Sequence, residues 1–149
     1  MNLSFKEKSL WLMLVSLLIA FGLYFGRTLP EHFALAQSAE HERALWMTLA
    51  HANRFAVAVM IIVALSVVGH VLIALIDRHR ETDERDRLIS LIGARNGGFV
   101  LACGVFFALV AAVHTRGNFI FAHVLMLGWV AAELVNIGTQ LWLHRRGVM

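Results

Sequence analysis

"FAVAVMIIVALSVVGHVLIALI", residues 55–76, decides the fold. These 22 residues contain no Asp, Glu, Lys or Arg, and His70 is their only ionisable side chain. At 1.5 Å rise per residue, about 20 apolar residues in a helix cross a hydrocarbon core roughly 30 Å thick. A helix is required because lipid offers no partner to an unpaired backbone amide, and no strand-like alternation is present. Outward from this stretch, 9–26, 96–115 and 119–144 form three further windows of the same kind, the last interrupted by Glu133. The chain of 149 residues is 59% hydrophobic with a mean hydropathy of +0.71, outside the range of water-soluble domains. The expected class is all-α: a single integral-membrane four-helix bundle over 1–149, surrounded by the lipid bilayer.

Between the second and third windows lies "DRHRETDERDRLISLIGAR", 77–95, with five arginines and five acids. Four spans place this loop and both termini on one side. That side carries Lys6, Lys8, Arg78, Arg80, Arg85, Arg87, Arg95, Arg145 and Arg146, against Arg27, Arg43, Arg54 and Arg116 on the other. Nine cations against four make the termini and the loop cytoplasmic. The net charge of +3 and pI near 9.8 are read the same way, as topology, with no direct nucleic-acid partner expected. Lys6, Lys8 and the later "ALA" at 34–36 resemble a signal peptide, but that site lies ten residues beyond Gly26 with Pro30 between, so the first span is expected to be retained.

Read as a helix, the charged loop has Thr82 as its cap and Asp83, Glu84 and Asp86 in its first turn, near the positive helix end. Asp83 with Arg87 and Glu81 with Arg85 pair at i,i+4, acid first. Leu88, Ile89, Leu91 and Ile92 supply an apolar side, and the helix either leads into the third span or breaks at Gly93. A loop needed only for topology would not require matching acids. Asp83, Glu84, Arg85, Asp86, Arg87, Leu88, Ile92 and Arg95 are therefore the candidate contact surface for a cytoplasmic protein partner.

Ser4 and Glu7 have capping-box spacing and predict a helix that starts before the first window. Pro30 is the only proline and is expected to end that helix outside the membrane. From about Glu40, Leu45, Leu49, Ala52 and Ala56 fall on one stripe, which predicts an amphipathic segment in the first external loop, with Trp46 as interfacial anchor. "HTRGN" between the third and fourth windows is short enough to force an antiparallel hairpin.

Gly93, Gly97, Gly104, Ala108 and Ala111 lie within about 40° of Gly104 on a helical projection. Small residues admit a second helix closely, so this face is a seam for internal packing or for a homodimer. Cys103, the only cysteine, excludes an internal disulfide and is expected as a small buried hydrophobe.

Ionisable side chains at membrane depth call for a reason. Ser66, His70 and Asp77 share one face of the second span; Met126, Trp129, Glu133, Asn136, Gln140 and His144 share one face of the fourth. The two stripes are expected at similar depth, with His70 bonded to Asn136 or Glu133. They form either a register-fixing polar clamp or a proton or ion relay through His70 and Glu133. His51, His114 and His123 gather at the outer side and are the candidate ligands for a zinc or copper ion, although no tight ligand motif accompanies them. No haem pair, nucleophile with a base, or phosphate-binding loop is present, so neither a catalytic residue nor another cofactor is expected.

"SFKEKSLWLMLVSLL" and "DERDRLISLIGAR" running into "NGGFVLACG" resemble an uncharacterised family of small bacterial inner-membrane proteins with a DERDR-type loop between transmembrane helices. That resemblance implies a four-helix bacterial inner-membrane protein. Such proteins are often encoded beside small helix-turn-helix regulators, which implies a membrane partner for a repressor. It supplies no catalytic residues. The function expected is protein–protein interaction at the cytoplasmic face, as a partner of a regulator or an accessory subunit. A small proton- or ion-coupled transporter and an outer-face metal-binding protein stand as alternatives.

Overall fold

The computed structural model describes residues 4–76 and 84–146. The expectations placed on Asp77, Glu81, Thr82 and Asp83 lie outside the described residues. Helices α1 (Phe5–Ala36), α2 (His41–Ala44), α3 (Leu49–Ile76), α4 (Glu84–His114) and α5 (Phe119–Arg146) follow one another, and α1, α3, α4 and α5 are each long and apolar enough to cross a bilayer. The chain is an all-α four-helix bundle. Helix α1 packs on α3 to one side and α5 to the other, while α4 packs chiefly on α5. The helices thus lie in the order α3, α1, α5, α4. One end of the bundle, the terminus-bearing end, carries the start of α1 and the end of α5, and the other carries the tight α4–α5 hairpin.

Ser4 closes the capping box that the sequence predicts: its Oγ accepts the Glu7 N–H at 3.2 Å, and Glu7 Oε2 accepts the Ser4 N–H at 3.0 Å. Such caps are worth ~1 kcal/mol. Pro30 does not end α1, contrary to expectation; the helix continues to Ala36 with the proline inside it. An interior proline costs an isolated helix ~3 kcal/mol. Here the turns beyond it are held by tertiary contacts, since Glu31 pairs with Arg54 at 2.5 Å and the His32 ring stacks on Phe119 at 3.8 Å.

The segment after Glu40 also departs from expectation. Instead of one stripe through Leu45 and Leu49, the short α2 ends at Ala44 and α3 starts at Leu49. The Leu45 carbonyl, which a continuous helix would give to residue 49, accepts the N–H groups of Asn118 and Phe119, each at 3.0 Å. Met47 N–H goes to Asn118 Oδ1 at 2.7 Å. The backbone groups freed at the break are thus satisfied by the α4–α5 hairpin. Gly117 has φ 76°, and a Cβ there would collide with the Leu45 carbonyl, so glycine is required twice over.

Helix α4 is unbroken at Gly93, and at 31 residues it is about 46 Å long, well beyond the hydrocarbon thickness. Its small face lies against α5 within the same chain. A Cβ on Gly97 would come 2.8 Å from the Ala132 carbonyl oxygen, and one on Gly104 would come 2.6 Å from the Gly128 Cα. Ala108 is buried in this seam and Ala111 is half-buried. Cys103 is exposed, correcting the expectation that it is buried. It sits on the outward side of α4 among Phe99, Phe106 and Phe107, all exposed, an apolar surface compatible with lipid contact. Outward-facing apolar side chains are what a bilayer-embedded bundle presents, because lipid supplies no hydrophobic drive to bury them.

Candidate functional site

At the terminus-bearing end, the side chain of Asp86 turns into the bundle. Its carboxylate lies 3.9 Å from Lys6 Nζ on α1 and 3.8 Å from His144 Nδ1 on α5. Helices α1, α4 and α5 therefore meet at one acid. His144 is nearly buried, and its Nε2 has no hydrogen-bond partner among the described residues. One turn of α5 deeper, Gln140 donates to Asn136 Oδ1 at 2.9 Å, and Asn136 Nδ2 reaches Glu133 Oε2 at 3.5 Å. Gly93 makes room for this pair, since a Cβ there would meet Gln140 Cγ at 2.6 Å and Asn136 Oδ1 at 2.8 Å.

The opposite side of the same α4 segment is open. At 100° per residue, Asp86, Ile89 and Gly93 fall on the bundle side, whereas Glu84, Arg87, Leu88, Leu91 and Arg95 fall on the reverse and are exposed. Arg85 is exposed and Ile92 half-buried. The apolar side expected from Leu88 to Ile92 is thus split: Ile89 is fully buried in the bundle, while Leu88 and Leu91 face outward. Arg85, Arg87 and Arg95 have no ion-pair partner among the described residues.

His70 does not meet Glu133 or Asn136. Its Nδ1–H donates to the Ser66 carbonyl at 2.7 Å, which leaves Nε2 to accept the Ser9 hydroxyl at 2.7 Å. That bond ties α3 to α1, while Glu133 and Asn136 lie on α5. The sequence placed the two stripes at similar depth but had no way to see that α1 sits between their helices. Ser9 was missed because a serine near the start of an apolar window has no distinguishing spacing.

The hairpin end holds a second cluster. His123 is buried; its Nδ1–H donates to the Phe119 carbonyl at 2.8 Å, and its Nε2 accepts the Tyr24 hydroxyl at 3.0 Å. The rings of His32, Phe119 and His123 form a column with successive centroids 3.8 Å apart, and Tyr24 stacks beyond at 5.8 Å. His51 meets the column edge-on, 5.3 Å from Phe119 and 6.2 Å from His123, with its Nδ1 accepting the Thr48 N–H at 3.0 Å. A cavity of about 190 Å³ opens beside it, lined by Glu31, His32, Thr48, His51 and Arg54.

These contacts correct the proposed metal-ligand trio. His114 is exposed at the end of α4 and bonded to the Val110 carbonyl, while both ring nitrogens of His123 are committed to protein groups. Among the described residues no three His, Cys, Asp or Glu side chains are grouped as a metal ion requires. Tyr24 escaped notice because the expected helix end at Pro30 hid the stripe it shares with Thr28 and His32, which recur every four residues along an unbroken α1. Comparison of the chain with family models, with curated proteins and with solved structures gives no match.

Proposed function

We propose that the chain is a small bacterial inner-membrane protein, termini cytoplasmic, that acts by holding another protein against the exposed side of α4 between Glu84 and Arg95. The observation that carries this is the division of the segment into two faces. Asp86 and Ile89 are spent on the bundle, which leaves Leu88 and Leu91 exposed between the guanidinium groups of Arg87 and Arg95, neither of which has an ion-pair partner among the described residues. Arginine is enriched at interfaces and the centre of an interface is apolar, so the complementary surface is an apolar patch bordered by carboxylates. The excess of cations at this end supports its cytoplasmic placement. Resemblance to the DERDR-loop proteins adds a class of partner, a small helix-turn-helix regulator.

The transporter alternative draws no support from the geometry, because His70 and Glu133 are bonded to different neighbours on different helices. The test is site-specific photocrosslinking in native membranes from Leu88 and Leu91, with Phe107 as the lipid-facing control. Asp86 is left intact because it ties three helices together. A protein adduct at 88 and 91 that is absent at 107 and lost in Arg87→Glu/Arg95→Glu supports the proposal. Identical adducts at all three positions, or lipid adducts alone, overturn it.

A further inference from the structure

Between α1 and α3, towards the hairpin end, lies a groove of about 680 Å³ that this function does not use. Its walls are apolar: Leu23 on α1, and Val57, Ala58 and Ile61 on α3. Its floor on α1 includes Gly22 and Gly26, and a Cβ at either would meet nothing within 4 Å. Unlike Gly97 and Gly104, these glycines admit no neighbouring helix of the chain; they leave space. The charged groups stand at one end only, where Arg27 and Arg54 line the mouth together with the carboxamide of Asn53. Because α1 and α3 run antiparallel, the groove extends along the helix axes from this polar mouth to Ala20 and Ile61, about 12 Å by helical rise from Asn53.

The charge at the mouth is not balanced. Arg54 is paired with Glu31, so it brings no net positive charge, whereas Arg27 is exposed and has no ion-pair partner among the described residues. One free guanidinium beside one carboxamide suits one phosphodiester, since arginine presents a planar fork of donors to phosphate oxygens. Arg27 directly follows the apolar window 9–26, which sets it at the level of lipid headgroups. An apolar slot below an unpaired arginine at that level matches a molecule with an anionic head and an acyl tail.

We infer that the α1–α3 groove binds one anionic phospholipid from the leaflet at the hairpin end, its phosphate on Arg27 and Asn53 and an acyl chain along Gly22, Gly26, Val57 and Ile61. The apolar walls alone give no preference, because the surrounding lipid is equally apolar. Selectivity comes from the head, and retention from the shape of the slot.

The full chain is reconstituted in nanodiscs of equal phosphatidylglycerol and phosphatidylcholine, released into mild detergent, and its retained lipid counted by native mass spectrometry. Wild type is expected to keep one phosphatidylglycerol in preference to phosphatidylcholine by about ten-fold. Arg27→Gln abolishes the preference, and Gly22→Leu/Gly26→Leu abolishes retention with Arg27 still present. Loss in Arg27→Gln without loss in the filled groove means that the arginine only reaches bulk headgroups, and overturns the inference. So does retention of a free fatty acid in place of phospholipid, or a wild-type dimer that the double glycine variant dissociates with no lipid bound. Should the double variant fail to fold, Val57→Trp closes the groove from its other wall and is held to the same outcomes.

Discussion

Gly104 of α4 and Gly128 of α5 lie backbone to backbone: a Cβ on Gly104 would come 2.6 Å from the Gly128 Cα, and one on Gly128 would come 2.7 Å from the Gly104 Cα. This is the close approach that small residues permit between membrane helices, where packing rather than water expulsion provides the attraction. Gly104→Ala and Gly128→Ala are each expected to destabilise the bundle by ~1–3 kcal/mol, because the obstructing atoms are backbone and cannot rotate away. Gly98 has nothing within 4 Å of its Cβ position. Gly98→Ala should therefore be neutral or stabilising by up to ~1 kcal/mol. Unfolding in mixed micelles with increasing SDS separates the two classes, and equal losses at all three positions would refute the assigned seam.

The Ser9–His70 bond at 2.7 Å joins α1 to α3 near the terminus-bearing end. Ser9→Ala and His70→Ala should show a coupling energy in a double-mutant cycle of ~0.6 kcal/mol and no more than ~1.7 kcal/mol, the mean and the maximum for hydrogen bonds between membrane helices. Glu133→Gln combined with His70→Ala should be additive, since these side chains share no partner. Strong coupling between His70 and Glu133 would restore the relay.

At the hairpin end, Tyr24→Phe removes the donor to His123 Nε2 and leaves a buried nitrogen unpaired, at a cost of ~1–3 kcal/mol. Phe119→Leu removes the ring between His32 and His123, and with it two stacked contacts of ~0.5–1.5 kcal/mol each. His114→Ala, at an exposed position, should change stability by less than ~0.5 kcal/mol. The same unfolding assay ranks the three, and a large effect at His114 would reopen its assignment to the cluster.

Cys103 faces outward from the middle of the third apolar window. In intact membranes it should resist a charged, impermeant maleimide whichever side the reagent is added to, because hydrocarbon excludes the reagent and disfavours the reactive thiolate. Rapid labelling by the charged reagent would mean that water reaches this surface of α4, contrary to a lipid-facing position.

The class of the molecule was legible from the sequence because the demand is local. Once residues 55–76 enter lipid, each backbone amide must find its partner within four residues, so apolar length alone dictates helices and their number. The small face of the third span, with Gly97, Gly104 and Ala108, was legible as a seam for the same kind of reason, since spacing of 3.6 residues per turn is intrinsic to a helix. What filled that seam was decided by tertiary structure, because α5 and a second copy of the chain offer equally apolar surfaces. The continuation of α1 past Pro30 depends on Glu31 finding Arg54 and His32 finding Phe119, partners 23 and 87 residues away in the chain. His70 likewise took Ser9 rather than Glu133 because α1 is the helix packed along α3, whereas α5 meets α3 towards the hairpin end. Periodicity tells which residues share a face of one helix; which helix comes to that face depends on side-chain shape summed over the whole bundle, and no stretch of sequence contains that sum.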